Sequence, residues 1–373
     1  MTSSGHGAPE GGARLRVAVL ALEWPSTDRH SGGVGRYTKR LCEWLSAHVD
    51  LTVVTGPAPE PMDGSGRLLV ADVAGFAGRF SRYYVRPVRA ARLVAEIEPD
   101  IVHSHGDDWP VVFSRREHPP VLRTYHGRSA SEARSGPLLR RANHVVMAAV
   151  ENLSRSRYAV AVGVGPESTE AFRCHRLIPP VFGLGAGGPV VKAPEPMAAF
   201  VGGFHSRKRG ELALHAAREA RRRLPTMRFA VVGPAADRCH YPDWVEFHEE
   251  LDDAAVRELI GQAWVLLAPS SYEGFGIPAW EAMALETAVL ATRNPGIEFL
   301  SSGQSCLVVD DGRLGSELVG LLEQHDARAA QATRGLARAM EVAEMGRPER
   351  YLELYRAMAG RVTPLPGTAR VNP

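Results

Sequence analysis

Glu273 and Glu281 flank a glycine-rich turn and a proline, in the string Glu273-Gly274-Phe275-Gly276-Ile277-Pro278-Ala279-Trp280-Glu281. An ionised carboxylate only accepts hydrogen bonds, so each glutamate can take both hydroxyls of a sugar diol. Pro278 suits the first turn of a helix, where its missing N–H costs nothing. That places Glu281 about one turn inside the helix and Glu273 in the loop before it. The backbone N–H groups of 274–277 then sit at a helix N-terminus, whose partial positive charge favours phosphate. Two diol clamps with an anion cradle between them match the order of groups in a sugar–diphosphate–ribose ligand. An ordinary strand-turn-helix with two solvated glutamates would share this spacing, so the string needs companions.

Three other segments are candidates. Arg207 and Lys208 follow the apolar strand that ends near Val201, and two cations there can neutralise a leaving diphosphate without a metal. Exposed basic turns are common, so that pair is weak alone. Gly32-Gly33-Val34-Gly35 follows the first apolar strand, but the intervening loop is too long for a dinucleotide fingerprint. Thr124-Tyr125-His126-Gly127 puts a histidine at a strand end, which by itself is more often structural than functional. His103 and His105 share one strand face by their spacing. No third metal ligand is evident beside them, so packing or cleft lining is the simpler reading. No Asp-x-Asp pair occurs, so no metal-held diphosphate is expected. No metal and no cofactor are expected. Cys42, Cys174, Cys239 and Cys306 form no Cys-x-x-Cys pair and read as buried free thiols in a reducing compartment.

The elements that must position these residues alternate between strand and helix. Strands are expected at 15–22, 51–55, 101–105, 121–125 and 145–149, with a helix over 37–45. The Pro- and Gly-dense stretch 179–196 reads as a linker. The alternation restarts with strands at 198–201, 228–232, 264–268, 288–291 and 306–309. Helices are expected at 211–224, 253–263 and after Pro278, then at the end of the chain. This pattern predicts an α/β fold with parallel sheets. Two Rossmann-like doubly wound domains facing a cleft are the economical arrangement, with boundaries at 1–187 and 188–350 and a final segment 351–373. Ligands in such sheets bind beyond the carboxyl ends of the strands.

Bulk properties agree. The chain has 373 residues, 45% of them hydrophobic, enough for two filled cores. Its 44 basic and 42 acidic residues give no reason to expect nucleic acid. Residues 1–187 hold 23 Lys/Arg against 18 Asp/Glu, and 188–373 hold 21 against 24. Segment 79–92 concentrates five arginines and two tyrosines. Peripheral membrane contact there is conceivable, but a solvated helix face is favoured. No run approaches the ~18 apolar residues of a span, and residues 1–13 lack an apolar signal core. The expected location is cytoplasmic.

The full string, continued by Ala282-Met283-Ala284, resembles the signature of retaining family-four glycosyltransferases, a GT-B fold group with a Glu-x7-Glu motif. The resemblance runs over nearly the whole chain. It implies that Glu281 holds the ribose hydroxyls and Glu273 the donor-sugar hydroxyls. Gly274 and the amides of Phe275, Gly276 and Ile277 would then face sugar and diphosphate. It gives Lys208 a diphosphate role. Where many members carry the partner arginine this chain has Gly203, which leaves Arg207 to supply that charge. Gly32 and Gly33 would lie close to donor phosphate and acceptor, and His126 near the reacting sugar. His126, Lys208 and Glu273 are thus the implied catalytic set. Two departures precede the next loop, 294–298: Glu286 where glycine is usual and Ala288 where proline is usual. A helix near 351–358 would cross back to the first domain.

The implied activity is metal-independent, retaining hexosyl transfer from a UDP-sugar to a small natural product. Alternatives are a GDP-sugar donor with a lipid or glycan acceptor, or a non-catalytic nucleotide-sugar-binding subunit. A nicotinamide oxidoreductase lacks its tight Gly-x-Gly-x-x-Gly turn here.

Overall fold

The structure, a computed structural model, describes residues 14–27, 32–72, 80–115, 117–132, 138–181, 190–249 and 251–360. Two parallel sheets organise the chain. The first holds β1 (Arg16–Ala21), β2 (Asp50–Thr55), β3 (Arg67–Val70), β4 (Ile101–Ser104), β5 (Val121–Tyr125), β6 (Val160–Gly163) and β7 (Arg176–Leu177), in the order β3-β2-β1-β4-β5-β6-β7. The second holds β8 (Met197–Val201), β9 (Arg228–Val232), β10 (Glu246–His248), β11 (Val265–Ala268), β12 (Ala288–Thr292) and β13 (Leu307–Val309), in the order β10-β9-β8-β11-β12-β13. Every ladder is parallel, and registers such as Val17↔Ile101 and Val265↔Ala198 put β1 beside β4 and β8 beside β11. Strand order reverses at those two places, which opens a crevice at the carboxyl ends of the strands.

Helices cover both faces of each sheet, which is why the central strands are continuous apolar runs rather than alternating ones. β1 is buried from Val17 to Ala21, and β12 throughout. Each sheet has a core on either side, one built around Leu41, Ile101 and Leu122 and its opposite around Leu20, Val102 and Tyr125.

The structure corrects the sequence reading in three places. Segment 145–149 is not a strand but part of the helix Leu138–Ser154, and β6 takes the expected place in the sheet. A short apolar run does not by itself separate strand from helix. Val145 and Val146 are in fact exposed, which a central parallel strand forbids. The first helix, α1 (Gly33–Ser46), begins four residues early, so Gly33 and Gly35 form its first turn rather than a free loop. The short β3, β7 and β10, of two to four residues and at most half-buried, are not anticipated by the sequence reading. Of the expected linker, 182–189 lie outside the described residues, as does Arg79. The four cysteines are free, but only Cys42 and Cys306 are buried and Cys239 is exposed. No helix among the described residues is long and apolar enough to cross a membrane.

The chain returns to the first sheet at its end. The long helix His325–Met345 packs on the second sheet, and the last helix, Glu349–Ala359, joins the first half's core through Tyr351, Leu352, Leu354, Tyr355 and Met358.

Candidate active site

A cleft of about 900 Å³ lies between the two sheets, lined from both halves by strand-end loops. The second half supplies the glutamate loop. After β11 the chain turns through Glu273 and enters the helix Ile277–Ala284, with Pro278 in its first turn. Gly276 precedes that helix at φ 95°, a conformation that favours glycine. No side chain caps the helix start, so its N–H groups remain available to a ligand. Trp280 anchors the helix by donating its indole N–H to Ala339 O at 3.1 Å.

Glu273 is buried and ion-paired through both oxygens, although Oε1 makes no well-aligned hydrogen bond. Lys208 Nζ and Arg207 Nη1 each lie 2.6 Å from one of its oxygens. Burial would raise its pKa, but the two cations outweigh burial and hold it at about 2. Such charge-assisted contacts fix all three side chains. Arg207 also donates to Tyr272 O at 2.8 Å. Arg209, next in sequence, turns away to Pro269 O and Asp311. From behind, Gly296 N donates to Glu273 O at 3.0 Å. Asn294 caps the short helix Pro295–Leu300 by accepting from Ile297 N at 3.1 Å. The loop 294–298 is thus a brace for Glu273. Glu286, the residue standing for glycine, has φ 52°.

Glu281 is mostly buried and stands apart from that triad. Burial first, and then Asp253, push its pKa up to about 7 against the pull of Arg40, Arg36 and Arg257. Two of those arginines reach over from α1: Arg36 and Arg40 each meet Asp253 at 2.5 Å. This bridge joins the halves beside Glu281. Nothing in the sequence signals it, because its members are more than two hundred residues apart.

The first half supplies histidines. His126 Nε2 lies 2.9 Å from His105 Nδ1, and the rings stack at 5.2 Å. Burial and then Arg123 lower the His126 pKa to about 3. His105 is lowered too, by burial first and then by His103 and His126. Both imidazoles are therefore neutral. His103 sits deeper, with Tyr355 Oη at 2.6 Å and Thr124 Oγ1 at 2.9 Å. Tyr351 Oη lies 3.4 Å from Thr124 Oγ1 and 3.3 Å from Tyr37 Oη. The returning helix is thus threaded into the support of the histidine pair, a part the sequence reading did not foresee. Among the described residues no three His, Cys, Asp or Glu converge as a metal site.

The halves meet at His126. A Cβ on Gly274 would lie 2.2 Å from His126 O, so only glycine permits this approach. Tyr272 Oη donates to Glu167 at 2.8 Å and accepts from Arg128 N at 3.0 Å. Gly33 faces Ile277 across the cleft, where an added Cβ would stand 3.1 Å from its Cδ1. The structure therefore gathers Gly32, Gly33, His126, Arg207, Lys208, Gly274 to Ile277, Glu273 and Glu281 around one cleft. Phe275 itself is core: its side chain is buried, which leaves only its backbone for a ligand.

Comparison with known proteins agrees with this geometry. The model of the family described as "Glycosyltransferase Family 4" matches residues 31–180, and that described as "Glycosyl transferases group 1" matches residues 195–324. Each half thus matches a glycosyltransferase family model. The fold is GT-B, as in the sucrose-phosphate synthase of Thermosynechococcus elongatus. That structure superposes with a TM-score of 0.78 at 20% identity, over 93% of this chain and 100% of the other. Anabaena HepE, solved with UDP and glucose, gives 0.68 at 12% identity over 92% and 100%. A curated relative, the D-inositol 3-phosphate glycosyltransferase of Corynebacterium urealyticum, is 32% identical over 179 residues. That match covers 43% of this chain and 42% of the relative's length.

Proposed function

We propose that the protein transfers a sugar from a UDP-sugar to a hydroxyl of a small natural product, with retention at the anomeric carbon and without a metal. The observation that carries this reading is the Glu273–Lys208–Arg207 triad facing His126 across the cleft. Glu281 takes the ribose, the start of the helix Ile277–Ala284 takes the diphosphate, and the sugar lies between Glu273 and His126. Two cations against one carboxylate leave a net positive charge for the departing diphosphate. The acceptor oxygen attacks C1 from the face that the diphosphate leaves. The C1–O bond to phosphate breaks, the new C1–O bond forms, and the acceptor proton passes to a phosphate oxygen. That route needs no second carboxylate as nucleophile. A neutral His126 can hydrogen-bond the sugar without opposing the positive charge that develops on it. Closure of the halves orients the reactants and excludes water. The bound UDP of HepE supports the choice of base. We place the activity in the cytoplasm.

A mass-spectrometric screen of UDP- and GDP-sugars against the purified chain tests this reading. Consumption of a UDP-sugar on addition of an acceptor, unaffected by EDTA, is the expected result. NMR of the product should show the donor's anomeric configuration. Donor binding without turnover would favour a non-catalytic subunit, and an inverted product would end the retaining mechanism.

A further inference from the structure

The first half's side of the cleft holds Glu23, Asp107, Asp108 and Glu151 against Arg82 and Arg123. Most of this charge is spent locally. Arg82 pairs with Glu23, and Arg123 Nη1 lies 3.2 Å from Asp108 Oδ2. Glu151 accepts from Ser129 Oγ at 2.8 Å and from Ser129 N at 3.2 Å. Asp107 is different. Its carboxylate makes no ion pair or hydrogen bond among the described residues, although it stands just beyond His105 in the cleft wall. Its backbone is left-handed, at φ 58°, directly after Gly106. Aspartate is one of the few residues besides glycine that adopt this conformation readily.

Three buried donors on the same cleft also lack partners. Tyr125 is 1% exposed and its hydroxyl has no partner. Arg123 Nε and the Trp109 indole N–H are also buried without one. All three residues line the same cleft. A buried donor left unpaired is costly, by about 1–3 kcal/mol, and a bound acceptor's oxygens would relieve it. One free carboxylate among free donors therefore calls for a ligand that brings both a cation and hydroxyls.

Resting on the transferase reading above, we propose that this wall selects an acceptor with an ammonium group beside its hydroxyls, of the amino-sugar or aminocyclitol class, and that Asp107 binds the ammonium. A phosphorylated acceptor, such as the one in the curated relative's name, would meet Asp107 and Glu151 with like charge. Burial first, and then Glu23, raise the Asp107 pKa to about 6 against Arg123 and Arg82. A bound ammonium removes that penalty by favouring the ionised form.

The test uses the full chain, its best donor, and three acceptors: a 1,3-diaminocyclitol, its di-N-acetyl derivative, and myo-inositol 1-phosphate. The free diamine should exceed both others in kcat/KM by at least ~10-fold, the scale of a hydrogen bond between charged groups. In Asp107→Asn, which keeps the shape and tolerates the same backbone, the ratio of diamine to acetylated acceptor should collapse towards one. Equal or better use of the phosphate or acetylated compound by the wild-type chain overturns the proposal without any variant. So does a ratio that survives in Asp107→Asn, or donor binding with transfer to none of the three. A separate titration with nucleotide-sugar isolates the earlier reading: if no donor binds, the transferase assignment fails instead.

Discussion

The two walls of the cleft are built on different electrical plans. On the second half the charges are close-coupled: Glu273 is locked between Lys208 and Arg207, and Glu281 waits as a carboxyl that burial keeps half-protonated near neutrality. On the first half the inner groups are neutral imidazoles backed by tyrosines, with the carboxylate of Asp107 in no ion pair or hydrogen bond among the described residues. A nucleotide diphosphate is a fixed demand on one wall, and a short contiguous loop can meet it. The opposite wall is assembled from strand ends far apart in the chain, so it can change its partner without disturbing the first.

The sharpest way to break this comparison is to remove a cation from the triad. Lys208→Ala should lower kcat by about 10²–10³-fold, the scale of losing an electrostatic stabiliser of the leaving group. Steady-state kinetics at saturating donor would show it, and an unchanged kcat would shift the chemistry away from the second wall. Glu281→Ala should weaken donor binding by about 10–100-fold, read by calorimetric titration, with a smaller effect on kcat.

Glu281 also predicts a pH dependence. If the ionised form accepts the ribose hydroxyls, donor affinity should climb as pH rises through about 7. Glu281→Gln should flatten that rise. The linked stability has the opposite sign, because a folded pKa above the ordinary 4.5 means stability falls as pH rises between the two values. Glu273 behaves conversely: its contribution is present above 4.5 and is lost as pH falls towards about 2. His126, neutral throughout, should contribute no inflection above pH 5.

Smaller effects sharpen the picture of the first wall. Tyr355→Phe leaves buried His103 Nδ1 without its partner and should cost about 1–3 kcal/mol in denaturant unfolding. Its effect on kcat should be less than that of Lys208→Ala, since it acts two residues removed from the cleft. Smallest of all, Glu286→Gly relieves a left-handed residue and should leave stability unchanged or raise it by up to about 1 kcal/mol. A thermal melt distinguishes these outcomes.

The second wall was largely legible in the sequence because its groups lie in two short strand-end segments, 207–208 and 273–281. Glycine at 276, proline at 278 and the glutamate spacing are local facts with local geometry. What local spacing did not reveal is that Glu273 spends both oxygens on Lys208 and Arg207. The parallel α/β pattern was equally plain, since buried strands read as apolar runs. The run at 145–149 failed for the same reason that the others succeeded. Apolarity reports burial, and helix Leu138–Ser154 shows that it does not report period. The Arg36–Asp253–Arg40 bridge and the tyrosines behind His103 were illegible because they join segments distant in sequence.

The last helix carries a consequence for how the chain comes off the ribosome. Domains ordinarily complete themselves in the order in which they are synthesised. Here the first half's core contains Tyr351, Leu352, Leu354, Tyr355 and Met358, residues made after the whole second half. The N-terminal half must therefore wait, with a gap in its core, until the whole second half has emerged. Its histidine pair gains its final support only once that later helix has been made.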